Sequence, residues 1–447
     1  MLAGLGLATT ILIGVEARLA KTDAVLLMTA VACFGALARA YLRAVRVPDA
    51  GMPSPVTKAA QPTGHALPWI VPAVFWTALA ASVLVKGPVV PILVALTMLV
   101  LVGIDRKAGW LRALKPGPGL LWFALLILPW FIAILSKAGD AFLAESVQKD
   151  MLAKVFGAQE SHGAPPGYYT LLVWFTFWPS SVVILMALRG LWVSRRQPAL
   201  RFLLAWVLPG WLFFELVATK LPHYVLPLYP ALAILAALTV ERRSLVTSGI
   251  LALARFLWPG LAALLAAGGL VGGLILGTPV VLFAIPLVAL AVGCGALAAR
   301  RLSPSHAHRA DPEGAMLLAM AASIAVTATV FGVVLPAQER LFPSRAAAAL
   351  VRSVSCDAPK LVSAGFSEPS LVFNTTTATK LTGGAGAADF LGGEGCRLAL
   401  VESRQERPFA ERAAALGLTV ATLGRVEGIN LSNGRTVILT LYRRVNG

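Results

Sequence analysis

From Leu2 to about residue 335, one apolar run follows another, each near the length a helix needs to cross a bilayer. The runs fall at roughly 2–15, 24–42, 68–85, 88–104, 117–136, 170–189, 202–218, 224–240, 257–276, 278–299 and 313–335. Lipid offers the backbone no hydrogen-bond partners, so segments of this kind must satisfy their own amides as helices. With 58% hydrophobic and 13% charged residues, the chain carries far less charge than the quarter or so usual in soluble domains. The reading is an all-α polytopic membrane protein with about 11 transmembrane helices.

The net charge of +17 sorts onto one side of that topology. Arg43, Arg46 and Lys58 follow the second run, Arg106, Lys107, Arg112 and Lys115 the fourth, and Arg195, Arg196 and Arg201 the sixth. Arg242 and Arg243 follow the eighth, and Arg300, Arg301 and Arg309 the tenth. These loops alternate without a break, so the positive-inside bias makes them cytoplasmic. No long basic segment or binding-module motif is present, and nucleic acid is excluded as a partner. Met1 opens almost directly into an apolar run with no basic segment before it, which argues against a cleavable signal peptide.

Composition changes near Gln338, giving two expected domains, 1–337 in the membrane and 338–447 outside it. In the second, strand-length runs at Lys360–Ala364, Ser370–Phe373 and Arg397–Val401 alternate with helical patterns at Arg345–Val354 and Pro408–Leu416. Asn433-Gly434 marks a hairpin ahead of Thr436–Tyr442. This is expected to be a small α/β domain on the outer, periplasmic face. Its glycine runs, 383–386 and 392–395, read as loops, because neither sits between a strand and a strong helix at phosphate-loop spacing. Cys33 and Cys294 lie in apolar runs as core residues, while Cys356 and Cys396 lie in the outer segment and could pair in an oxidising compartment.

The outer loops are short, apart from the one at 136–167, yet they gather charge. Glu16, Lys21 and Asp23 lie in the first and Lys86 caps a tight hairpin. Asp150, Lys154 and His162 lie in the long loop. Lys220, His223 and Tyr224 stand between the runs 202–218 and 224–240. Each lysine has a bland reading, its ammonium snorkelling to the headgroups. Glu16 and Asp23 likewise serve as salt-bridge partners for Arg18 and Lys21. The functional reading is a cluster of point charges at headgroup level, which suits a lipid-linked phosphate.

Four segments, in order and on one face, carry a family resemblance. Lys220–Pro230 (KLPHYVLPLYP) resembles the KLPxYxLPxxP segment of bacterial GT-C glycosyltransferases, above all the aminoarabinose transferases and the wider protein O-mannosyltransferase superfamily. Glu16–Ala24 resembles their acidic helix start, Leu84–Pro88 their KG hairpin, and His162–Tyr169 their HxxPxxYY motif. The resemblance implies transfer of a sugar from a polyprenyl-phosphate donor to a lipid or protein acceptor at the periplasmic face of the inner membrane. Donor-phosphate binding then falls to Lys86, Lys154, Lys220 and Tyr224. Substrate contacts fall to Glu16, Lys21, Asp150, His162, Tyr169 and His223. In relatives a carboxylate at the Asp150 position sometimes neighbours a metal-binding histidine; here the neighbour is Met151, which leaves a divalent metal open. The family has about thirteen spans and takes its base from an acidic first outer loop. This sequence shows no such loop before Glu16, so a truncated start is expected, and Asp23 is the substitute base.

Two other functions compete. A transporter or flippase of a lipid-linked or anionic substrate would show ionisable groups at mid-membrane and paired broken helices in a repeat. The charges here gather at helix ends instead. A mere anchor for the outer domain would not need so many spans.

Overall fold

The computed structural model describes every residue except 20, 46–66, 144–163, 304–309, 357, 431–433 and 446–447. Contacts divide the chain into two units, 1–268 with 286–328, and 269–285 with 329–447. The second unit thus takes in the expected outer segment together with the last turns of the membrane helices that lead to it.

In the first unit the helices are α1 Leu2–Ala8, α2 Ile11–Glu16, α3 Asp23–Val45, α4 Ile70–Lys86, α5 Val89–Asp105, α6 Pro116–Leu143, α7 Tyr168–Thr176, α8 Ser180–Val193, α9 Pro198–Leu216 and α10 Tyr229–Glu241. Three further membrane helices follow, α11 Ile250–Ile275, α12 Val281–Arg301 and α13 Pro312–Val334, and they reach the second unit. Among the described residues seven helices are long and apolar enough to cross a bilayer, or eight when α7 and α8, bent by 120° at their junction, count as one span. The other three expected spans take different forms. Residues 2–15 break into α1 and α2 at Thr9–Thr10, and α4 and α5 have 17 residues each, about 25 Å of helix.

Local chemistry fixes these boundaries. Gly87 adopts φ +67°, which ends α4, and Pro88 leads straight into α5, so the two form a tight hairpin with Lys86 at its tip. Proline opens α6, α9 and α13, where its missing N–H would be unpaired anyway. The α6 helix continues past the expected start of the long loop at 136 as far as Gly139, where φ +49° breaks it before a last short stretch to Leu143. Helix α10 is buried along most of its surface, Ile234 excepted, as its even apolar character demands. Its Tyr229 hydroxyl meets the Thr176 hydroxyl at 2.5 Å, tying it to α7. Immediately before α10, Pro222–Leu228 forms a 3-10 turn. That turn is therefore held by the most enclosed helix in the bundle.

In the second unit β1 Lys360–Ala364, β2 Lys380–Thr382, β3 Arg397–Glu402, β4 Val420–Asn430 and β5 Arg435–Arg444 make one sheet, ordered β2-β1-β3-β5-β4. The first three are mutually parallel, and β3, β5 and β4 are antiparallel. Alternation along β3 sends Leu398 and Leu400 to one face, with Ala347 and Val351 of α14 (Pro343–Arg352). Ala399 and Val401 go to the other, with Leu391 of α16 (Gly384–Leu391) and Phe409 of α17 (Glu406–Ala415). A fourth helix, α15, covers Pro369–Asn374, where the sequence suggested a strand. Pro369 opens that helix after an extended Glu368, and of its apolar run only Leu371 is buried. The sequence reading also set Gly383–Gly386 apart from any strand–helix junction. In fact Gly383 directly follows β2 and caps α16, and Gly384–Gly386 form the first turn of that helix, where the Gln405 side chain accepts from the Gly384 amide at 2.8 Å. Cys356 and Cys396 are joined as a disulfide with Cα atoms 6.1 Å apart.

Candidate active site

Four helix ends from distant parts of the first unit converge. Glu16 closes α2, Asp23 opens α3, Lys86 closes α4, and His223 and Tyr224 lie in the turn before α10. Asp23 and Lys86 each sit at the helix end whose dipole favours their charge. Lys86 Nζ lies 2.5 Å from Asp23 Oδ1, with the carboxylate buried and the lysine partly exposed. His223 stands between the two acids, its Nδ1 3.5 Å from Glu16 Oε1 and its Nε2 3.9 Å from Asp23 Oδ2. The Lys86 ammonium is also 5.9 Å from the centre of the Tyr224 ring.

Glu16 differs from Asp23 in what surrounds it. One oxygen faces His223 and, at 4.0 Å, the exposed Lys21. The other, Oε2, is buried without a hydrogen-bond partner. Burial holds the Glu16 carboxyl above its ordinary value of 4.5; Lys21 pulls it down, Asp23 pushes it further up, and Lys86 pulls it down. Such a site combines two buried carboxylates, a cation and an imidazole. It can take a proton, neutralise an anion and orient hydroxyls.

The turn itself is fixed by its neighbours. Tyr169, near the start of α7, donates its hydroxyl to the Leu221 carbonyl at 3.1 Å. The start of α7 is secured in turn by Glu215 of α9, which accepts from the Gly167 amide (2.8 Å), the Thr170 amide (2.9 Å) and the Thr170 hydroxyl (2.9 Å). Glu215 thus does for another helix what an N-cap residue does for its own. Sequence reasoning passed over Glu215. The available signal was a lone carboxylate near the end of an apolar run.

Of the residues singled out beforehand, Glu16, Lys21, Asp23, Lys86, His223 and Tyr224 come together, and Tyr169 supports them through Leu221. Lys220 is buried and donates to the Val217 carbonyl at 2.6 Å, so its ammonium already has a partner. Asp150, Lys154 and His162 lie outside the described residues. Among the described residues no group of three or more His, Cys, Asp or Glu side chains is arranged to hold a metal.

No family model matches the chain. Over 154 residues, 34% of this chain, it is 30% identical to the undecaprenyl phosphate-alpha-4-amino-4-deoxy-L-arabinose arabinosyl transferase of Pseudomonas paraeruginosa. Over 115 residues it is 33% identical to the corresponding transferase 2 of Proteus mirabilis, and over 191 residues 33% identical to an uncharacterized protein of Aquifex aeolicus. These matches span 27%, 21% and 36% of the respective relatives' own length. Among solved structures, ArnT from Cupriavidus metallidurans bound to undecaprenyl phosphate superposes with a TM-score of 0.68 at 17% identity, covering 98% of this chain and 78% of that one. Its apo state gives 0.65 with the same coverage. The chain has the ArnT fold. That is a GT-C membrane architecture with a small C-terminal sheet, the class expected from the sequence.

Proposed function

We propose that the chain is an integral-membrane glycosyltransferase that moves a sugar from a polyprenyl-phosphate donor to a lipid A-like lipid or to a protein. The observation that carries this reading is the meeting of the acidic helix start, the Lys86 hairpin and the KLPHY turn around the ion pair of buried Asp23 with Lys86. The ArnT fold and the names of the relatives support it. In this reading the donor phosphate lies between Lys86 and Tyr224, and Lys86 divides its charge between that phosphate and Asp23. The acceptor oxygen attacks C1 of the sugar, the bond from C1 to the phosphate oxygen breaks, and polyprenyl phosphate leaves. The proton lost by the acceptor passes to a carboxylate, Asp23 being the nearest candidate with His223 behind it. Glu16, Lys21 and His223 contact the sugar; the resemblance alone assigns Lys154 to the donor phosphate and Asp150 and His162 to the substrate. The site faces the periplasm of a bacterial inner membrane, residues 1–337 form the membrane transferase, and 338–447 form a periplasmic domain.

The test is transfer of radiolabelled sugar from a polyprenyl-phosphate donor by the full chain in liposomes, with lipid A and protein acceptors in separate arms. Label is expected in one acceptor, with loss of at least about tenfold in Lys86→Ala. Movement of the intact donor across the bilayer with no label in either acceptor would overturn the reading in favour of a flippase.

A further inference from the structure

A cleft of about 460 Å³ opens in the second unit beside the disulfide, lined by Ser355, Cys356, Gly393, Cys396, Arg397 and Arg443 among others. Its charge is lopsided. Arg397, Arg443 and Arg444 line it, against the single carboxylate of Glu394 among the described residues. Two of the guanidinium groups are held by neutral acceptors. Arg397 donates to the Glu394 and Phe390 carbonyls at 2.9 and 3.0 Å, and Arg444 to the Gly392 carbonyl at 3.3 Å. Main-chain carbonyls hold Arg397 by two bonds and Arg444 by one long bond, and neutral acceptors of this kind leave the charge uncompensated. Arg443 is half-buried and, among the described residues, pairs with no carboxylate.

The walls are built to keep this arrangement. The disulfide ties the segment before β1 to the start of β3 and so joins two sides of the cleft. The Arg397 guanidinium packs directly over Gly393, so that a Cβ there would come within 2.3 Å of it and push it aside. Gly395 takes φ +83°, a conformation other residues rarely adopt. Fixed guanidinium forks at one concave place are suited to the tetrahedral, multiply charged oxygens of a phosphate.

We propose that this cleft is a binding site for a phosphate group, carried by a lipid headgroup or free in solution. The site is independent of the glycosyltransferase reading and lies apart in sequence from every residue assigned to it. The experiment uses the full chain in nanodiscs. One arm titrates inorganic phosphate and pyrophosphate by calorimetry in phosphatidylcholine discs. The other measures phosphatidic acid bound from discs of increasing phosphatidic acid content. Saturable binding is expected in at least one arm, weakened about tenfold or more by Arg443→Ala, the size expected for loss of a charged hydrogen bond. Arg407→Ala, on the exposed side of α17 and outside both sites, should leave it unchanged. Binding only in the lipid arm assigns a headgroup, and binding only in the soluble arm assigns a free phosphate. The proposal is overturned by wild-type chain that binds neither probe, or by Arg443→Ala that binds as tightly as wild type. If that variant does not fold, Arg443→Lys decides: it keeps the charge but loses the fork, and unchanged affinity overturns the proposal.

Discussion

The ion pair between Lys86 and Asp23 joins helix ends 63 residues apart, and the buried carboxylate depends on it. Lys86→Ala leaves Asp23 in a poorly solvated place without its cation, and is expected to lower stability by about 1–3 kcal/mol. A double-mutant cycle with Asp23→Asn, read by thermal unfolding in detergent, should recover most of that cost, because the neutral amide no longer needs the partner. Glu16 makes a pH prediction. Its carboxyl is held above 4.5, so the folded chain binds that proton more readily than the unfolded one. Its share of stability is intact below the ordinary value and falls as pH rises through the raised folded value. Glu16→Gln should flatten that fall in melting curves taken between about pH 4 and 7. These residues were legible in the sequence because charge at the end of a membrane helix is conspicuous. Glu215 was not, because its partners are backbone amides, which leave no mark in a sequence.

At the scale of elements, helix starts and their partners set the site. With Glu215 replaced by Ala, the first amides of α7 lose their acceptor, at an expected cost of about 1–3 kcal/mol. Hydrogen exchange at Thr170 should speed up, and since Tyr169 holds Leu221, the apparent KM for donor should rise more than kcal-scale destabilisation alone would cause. Glu215→Gln should restore part of both. In the second unit the disulfide spans 40 residues, and the Cys356→Ser, Cys396→Ser pair should lower stability by about 2–4 kcal/mol. Alkylation of the native chain with and without reductant, read by mass, checks the bond itself; two free thiols in the unreduced protein would refute it. β1, β3, β5, α14 and α17 could be read from periodicity, whereas β2 and α16 could not, being a three-residue strand and a helix that opens on glycines. Ser370–Phe373 could not, since four apolar residues fit a strand or a helical turn equally well, and Pro369 decides for the helix.

For the whole molecule, the alternation of basic loops predicts that Arg106–Lys115 and the turn at Lys220–Tyr224 face opposite sides of the membrane. Single cysteines at Lys107 and at Leu221, tested with a membrane-impermeant thiol reagent in intact cells and in inverted vesicles, should label from opposite sides. Labelling from the same side would contradict the topology. The sequence made the membrane class plain, because hydropathy reports the solvent each segment requires. It did not reveal that residues 2–15 break into two helices or that α7 and α8 bend by 120°, since such breaks follow from packing among helices rather than from the apolar run itself. The central claim is that the turn before α10 and the Lys86 hairpin together hold a polyprenyl phosphate. Its most direct test is equilibrium binding of polyprenyl phosphate to the full chain in nanodiscs, compared among wild type, Lys86→Ala and Tyr224→Phe. Saturable binding by the wild type, weakened about tenfold in Lys86→Ala and several-fold in Tyr224→Phe, is the predicted result. No saturable binding by the wild type, or equal affinity in all three, would contradict it.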